Sequence, residues 1–88
     1  LEVQYRQAFL KDLKQLKSST SYQRIYELAF TTLPEINTLQ EIPDIKPMRG
    51  YTGRCIRIGD YRIGIEVNGD AIEVMRALHR REFYRYFP

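Results

Sequence analysis

From Arg54 to Val67 apolar residues fall on alternate positions. The alternation runs through Gly59-Asp60 only if those two residues make up a whole hairpin loop. Ile58 then pairs with Tyr61, and Arg57 lies directly opposite Arg62. One face of the ribbon carries Ile56, Ile58, Tyr61, Ile63, Ile65 and Val67, the side helices are expected to cover. The other face carries the two arginines beside Gly64, whose missing side chain would let a ligand approach the sheet. Like charges facing each other across an antiparallel pair repel. Either Glu66 or Glu73 neutralises them, or the pair exists to grip an anion.

A second tight turn at Asn68-Gly69-Asp70 leads into another strand. Taking either Asn68-Gly69 or Gly69-Asp70 as the loop keeps Glu73 out of the core, whereas a three-residue loop would bury it unpaired. On this parity Met75, Ala77 and His79 join Arg57 and Arg62 on the face away from the helices. The strand ends in a basic, aromatic tail, His79 to Phe87, that suits one or two helical turns.

Upstream the periodicity differs. Leu1, Val3 and Tyr5 alternate as in a short strand, while Phe9, Leu10, Leu13 and Leu16 recur at helical spacing with Lys11, Lys14 and Lys17 on another side. After the break at Ser18 to Ser21, Tyr22, Ile25, Tyr26, Ala29 and Leu33 mark a second helix that Pro34 should stop. Residues 34 to 53, with Pro43, Pro47, Gly50 and Gly53, read as a long connection. Gly50-Tyr51-Thr52-Gly53 has the form of a KH-module loop, but that loop joins two helices and this one precedes a strand. The expected fold is α+β: a four-stranded antiparallel sheet, strand order in sequence β-α-α-β-β-β, with a helical hairpin on one face and a short helical tail.

Eighty-eight residues suit one domain, 1–88. The single cysteine, Cys55, excludes an internal disulfide framework and a zinc site built on paired thiolates, and a reducing cytoplasm is the expected compartment. No apolar run approaches the length of a membrane span, and no signal peptide is visible. Net charge is only +3, but residues 45 to 88 carry nine Lys/Arg, eight of them arginine, against five Asp/Glu. Arginine's planar fork matches phosphate oxygens, which makes nucleic acid a natural partner. Motifs for a nucleotide-binding Gly-rich loop, a zinc protease helix or a two-metal carboxylate cluster are missing, so no cofactor or metal is expected.

What remains is a cluster suited to RNA cleavage by RNA's own 2′-hydroxyl. Arg57, Arg62 and Arg80 would stabilise developing phosphorane charge, His79 would move protons, and Tyr84 would donate a proton or stack on a base. Arg54, Arg81 and Arg85 extend the cationic surface as candidate RNA contacts. Cys55, on the arginine face, is a possible but ordinarily inert nucleophile.

Phe9-Leu10-Lys11-Asp12-Leu13, then Arg57-Ile58-Gly59-Asp60-Tyr61-Arg62-Ile63, then the Val74 to Glu82 stretch ending His79-Arg80-Arg81-Glu82 together resemble the RelE/ParE toxins of bacterial type II toxin–antitoxin systems over nearly the whole chain. For a RelE-like member the resemblance implies the RelE-like microbial RNase fold and an endoribonuclease that inhibits translation. Such a toxin enters the ribosome and cuts messenger RNA without metal, through residues that fall here on Arg57, Arg62, Arg80 and Tyr84. It also implies a cognate antitoxin in a hetero-oligomer; the free basic face and the small, incompletely covered core lead us to expect that partner to be acidic and amphipathic, with Leu28, Leu33 and Leu39 as candidate apolar contacts. The sequence departs from the family at Arg54-Cys55, where such chains usually read aromatic then basic. The alternatives are a ParE-like toxin that inhibits DNA gyrase without a nuclease site, and a catalytically weakened member acting mainly as antitoxin partner.

Overall fold

The computed structural model describes residues 1–48 and 53–87. In chain order the elements are β1 (Glu2–Tyr5), α1 (Gln7–Gln15), α2 (Tyr22–Glu27), a π-helical turn (Leu28–Thr32), α3 (Leu33–Glu35), a 3-10 turn (Leu39–Glu41), β2 (Ile45–Pro47), β3 (Arg54–Ile58), β4 (Tyr61–Asn68), β5 (Ala71–His79) and α4 (Arg80–Tyr86). α2, the π turn and α3 follow one another without a break. The Leu33 N–H reaches back five residues to the Leu28 carbonyl. This wider turn comes just before Pro34, whose ring and missing N–H disfavour a regular α-helix. Pro34 therefore sits inside the last turn, one residue before the helix ends.

The sheet has five strands in the order β1-β5-β4-β3-β2 and is mixed, not the four-stranded antiparallel sheet expected from the sequence. Two features account for the difference. β2, which pairs antiparallel with β3, arises inside the stretch read as a long connection. It is three residues long and ends on Pro47, a residue an edge strand tolerates because one side of its backbone makes no ladder bonds. β1 runs parallel to β5, a sense open to it because the helices form a long crossover between it and the rest of the sheet. Apart from Gly53, the Gly50 to Gly53 motif lies outside the described residues.

The β3–β4 hairpin has the expected register, Ile58 with Tyr61 and Arg57 with Arg62. Its loop begins at Gly59 with φ +56°, and the next at Gly69 with φ +58°, the left-handed conformation glycine adopts without strain. Asn68 pairs with Ala71, so Gly69-Asp70 is the second loop. Helix residues Phe9, Leu13, Ile25, Leu28, Ala29 and Leu33 pack on Ile56, Ile58, Ile63, Ile65, Ile72 and Val74 in the main core. Leu28 and Leu33 are thus buried core residues and no open antitoxin contacts; Leu39 is only partly buried at the edge of the same cluster. The large exposed apolar side chains on the helical layer are Leu10 and Tyr26.

The parity of β5 departs from expectation. A bulge opposite Gly64 and Ile65 takes Val74 opposite Ile65 but Arg76 opposite Gly64, leaving Met75 as the extra residue. Beyond it every side chain changes face: Ala77 joins the main core, and Leu78 sits opposite Arg62. Met75 stays on the arginine face, packed against the small cluster of Cys55, Leu78, Phe83 and Phe87. His79 pairs with Tyr61, its ring edge-on to the tyrosine at 5.5 Å, and lines a hollow with Asp12, Leu16 and Ala77. Ala77 and His79 therefore do not share the face of Arg57 and Arg62. The bulge is held from α1: Asp12 accepts a bidentate pair from Arg76 at 2.8 and 3.0 Å and the Ala77 N–H at 3.0 Å. β1 pairs with β5 only from Ala71 to Val74, so this buried carboxylate takes over the edge where β1 ends.

Candidate nucleic-acid interface

The face opposite the main helical layer is covered in part by α4. His79 caps it, its Nδ1 accepting the Arg81 N–H at 3.1 Å, and the Arg80 N–H donates to the Asp60 carbonyl at 2.7 Å. Residues four apart on a helix share a side. Phe83 and Phe87 turn inward onto Cys55 and Leu78, while Arg80 and Tyr84 share the side toward the hairpin. A methyl group at Gly64 would lie 2.8 Å from the Phe87 ring. The bare patch foreseen at Gly64 is therefore no ligand entrance. It is the seat of Phe87, and through it of the helix that carries Tyr84.

Beside this contact the surface opens into two adjoining hollows. One, of about 460 Å³, is lined by Asp44, Lys46, Pro47, Met48, Cys55, Arg57, Arg62 and Tyr84. The other, of about 450 Å³, is lined by Arg24, Asp44, Arg57, Gly59, Asp60, Arg62 and Arg80. Asp44, Arg57 and Arg62 are common to both. The cations exceed the carboxylates, Asp44 and Asp60, so the joint surface attracts anions. Among the described residues neither Arg57 nor Arg62 forms an ion pair; Glu73, one of the proposed neutralisers, bonds Arg6 at 2.9 Å instead. Arg62 is steered down the hairpin by hydrogen bonds from Nη1 to the Gly59 and Tyr61 carbonyls at 3.0 and 2.9 Å, which moves it along the ribbon from Arg57. Arg80 lies 3.8 Å from the exposed Asp60 carboxylate, a pair too solvated to hold it tightly. Tyr84 is 70% exposed, an open platform on the rim. Cys55 is buried, and burial pushes its thiol above the usual range against the opposing pull of Arg62 and Lys46. That makes it a poor nucleophile.

The structure thus gathers Arg57, Arg62, Arg80 and Tyr84 around one surface. It does not bring His79 to it. Arg54 belongs to the opposite parity of β3 and lines a separate groove with Leu39, Gln40 and Ile45. Arg81 and Arg85 are exposed on α4 and line neither hollow. Three charged lining residues went unnoticed in the sequence. Lys46 was missed because β2 read as loop, and Arg24 because nothing local ties α2 to the hairpin turn. Asp44 adopts φ +56°, rare for a non-glycine residue, and its carbonyl accepts the Arg57 N–H at 3.2 Å.

Comparison with known proteins places the chain in a family. Residues 3–84 match the model of the ParE toxin of the type II toxin–antitoxin system parDE. The chain is 40% identical over 90 residues to Toxin RelE3 of Methanocaldococcus jannaschii, with both chains covered in full. In the RelB-RelE antitoxin–toxin complex from Methanococcus jannaschii, one chain superposes with a TM-score of 0.78 at 41% identity, over 97% of this chain and 99% of that one. The fold is shared more widely. A chain of the RelBE2 toxin–antitoxin complex of Mycobacterium tuberculosis gives 0.69 at 22% identity, over 90% and 96% of the two chains, and YafQ of E. coli gives 0.71 at 14%, over 91% and 93%. With the family model spanning nearly the whole chain and a relative at this identity covered end to end, the protein belongs to the RelE/ParE toxin family of type II toxin–antitoxin systems.

Proposed function

We propose that the protein is a ribosome-dependent messenger-RNA endoribonuclease, inhibited by a cognate antitoxin with which it forms a hetero-oligomer. The observation that carries the reading is the pair Arg57 and Arg62, free of ion pairs among the described residues and shared by two hollows that also bring in Arg80 and Tyr84. A structural pair of arginines would be neutralised by a neighbouring carboxylate; a site for an anionic substrate leaves its cations available.

In the reaction we infer, the 2′-oxygen of the nucleotide on the 5′ side of the cut forms a bond to phosphorus and the bond from phosphorus to the 5′-oxygen breaks. The products are a 2′,3′-cyclic phosphate and a 5′-hydroxyl, and the proton lost by the attacking hydroxyl is balanced by the one the leaving oxygen gains. Arg57 and Arg62 hold the non-bridging oxygens as charge builds on them. Tyr84, on the rim, stacks on a base or relays a proton. Arg80, anchored through its main chain to the hairpin loop, supports an adjoining phosphate. We assign His79 to capping α4, and so to holding Arg80 and Tyr84 in place, instead of the proton transfer expected from its sequence position. The similarity to a toxin found in a RelB-RelE complex supports the antitoxin assignment.

The test is mapping of message cleavage on programmed ribosomes with purified toxin. Cuts in the message that need ribosomes and vanish on adding the antitoxin support the reading. An uncut message together with inhibited DNA gyrase would replace it with the binding-poison alternative.

A further inference from the structure

Cys55 occupies a position on the arginine face of β3 where a cation would complete a row with Arg57, and it carries no charge. Directly across the next ladder, its partner in register is Lys46 on β2. Cross-strand partners project to the same face with Cβ atoms only about 5 Å apart. Lys46 accordingly lines the same hollow as Cys55, Arg57, Arg62 and Tyr84. It is exposed, and near enough to the Cys55 sulfur for its charge to act on the thiol. Among the described residues it takes part in no ion pair. A lysine on a free surface needs no explanation, but this one is placed by a strand whose position in the sheet brings it into one hollow with the arginine pair.

We propose that Lys46 is a further catalytic residue, contacting the phosphate gripped by Arg57 and Arg62 and supplying, from the neighbouring strand, the cation that Cys55 does not. The inference rests on the endoribonuclease reading of this site. Its role is electrostatic: a compact ammonium aimed at a non-bridging oxygen, worth most where charge accumulates. Because the requirement is for charge at a place and not for a particular backbone position, the cation should be movable from β2 to β3.

Three variants test this on programmed ribosomes: Lys46→Ala, Lys46→Arg, and Lys46→Ala combined with Cys55→Lys. Lys46→Ala should cut about a hundredfold more slowly, Lys46→Arg should keep most of the rate, and the double variant should recover a large part of the loss. Binding of each to a short 2′-O-methyl RNA, which cannot be cut, is measured against salt in parallel. The slope of log affinity on log salt should fall by about 0.7 in Lys46→Ala, the loss of one phosphate contact on single-stranded nucleic acid. Since Lys46 is exposed, Lys46→Ala keeps its fold, so its rate and slope stand even if the buried Cys55→Lys change destabilises the double variant. Lys46→Ala with unchanged rate and slope overturns the proposal while leaving the endoribonuclease reading intact. If the unmodified toxin cuts no message, that reading fails; catalysis by Lys46 falls with it, whatever the slope.

Discussion

Gly64→Ala should weaken the fold and the proposed activity together, although residue 64 touches no substrate. The backbone there accepts alanine, as Gly64 does not have the positive φ found at Gly59 and Gly69. The obstacle is steric: the new methyl group would stand 2.8 to 2.9 Å from three atoms of the Phe87 ring. That ring cannot swing away cheaply, being 2% exposed and packed among Cys55, Leu78 and Phe83, with Phe83 at 5.1 Å between centroids. Overpacking of this kind costs about 1 to 3 kcal/mol. Replacing glycine returns about 0.4 to 1 kcal/mol by restricting the unfolded chain. The net loss is about 1 to 2 kcal/mol, or roughly 5 to 15 °C in Tm for a domain of this size. Thermal melts followed by circular dichroism check it, best as a double-mutant cycle with Phe87→Ala. In the Phe87→Ala background the clash is gone, and Gly64→Ala should become neutral or stabilising. Equal cost in both backgrounds, or a Gly64→Ala variant as stable as the parent, would refute the assignment of Gly64 as the seat of α4. Because Phe87 anchors the helix bearing Arg80 and Tyr84, the single variant should also cut message more slowly.

Arg62→Ala should abolish cleavage while changing stability by less than about 1 kcal/mol. Relief of repulsion with Arg57 offsets the two hydrogen bonds to the turn, and melting curves beside the ribosome assay check both halves. Asp12→Ala should cost about 2 to 4 kcal/mol, since it leaves a partly buried Arg76 and the Ala77 N–H without their acceptor; denaturant titration measures it. With its thiol pushed up by burial, Cys55 should stay protonated through neutral pH and react slowly with iodoacetamide in the folded state. The rate should rise only above the usual thiol range, or on unfolding.

The ribbon from Arg54 to Asn68 was legible because a two-residue loop ties its register to the hydrophobic alternation, and a one-residue error would have turned Ile56 and Ile63 to solvent. The helices were legible for the same reason, through Phe9, Leu13, Ile25 and Leu33. β2 was not. Three residues ending in a proline are too few to show alternation, and the strand exists because β3 offers it an unpaired edge. The direction of β1 was not legible either, since a helical crossover can return a strand in either sense. The largest error came from one residue, Met75. A bulge shows no signal in the local pattern, yet it moved His79 off the arginine face and put Leu78 there. That Arg57, Arg62, Arg80 and Tyr84 gather on one surface was legible because they lie next to features the sequence does encode, the hairpin turn and the end of the last strand. Lys46 and Arg24 reach the same surface through tertiary contacts alone.

The account turns on the attacking oxygen. In the mechanism proposed, guanidinium groups carry the charge and the substrate supplies its own nucleophile, a ribose hydroxyl already within reach of its phosphate and needing only to be held in line. The most direct measurement uses ribosomes bearing a message with a single 2′-deoxy nucleotide on the 5′ side of the cut, beside the all-ribose message. The all-ribose message should be cut to a 5′ fragment ending in a 2′,3′-cyclic phosphate or its hydrolysis product, and the deoxy message should remain whole at that bond. Cleavage of the deoxy message at the same bond and rate would contradict the mechanism.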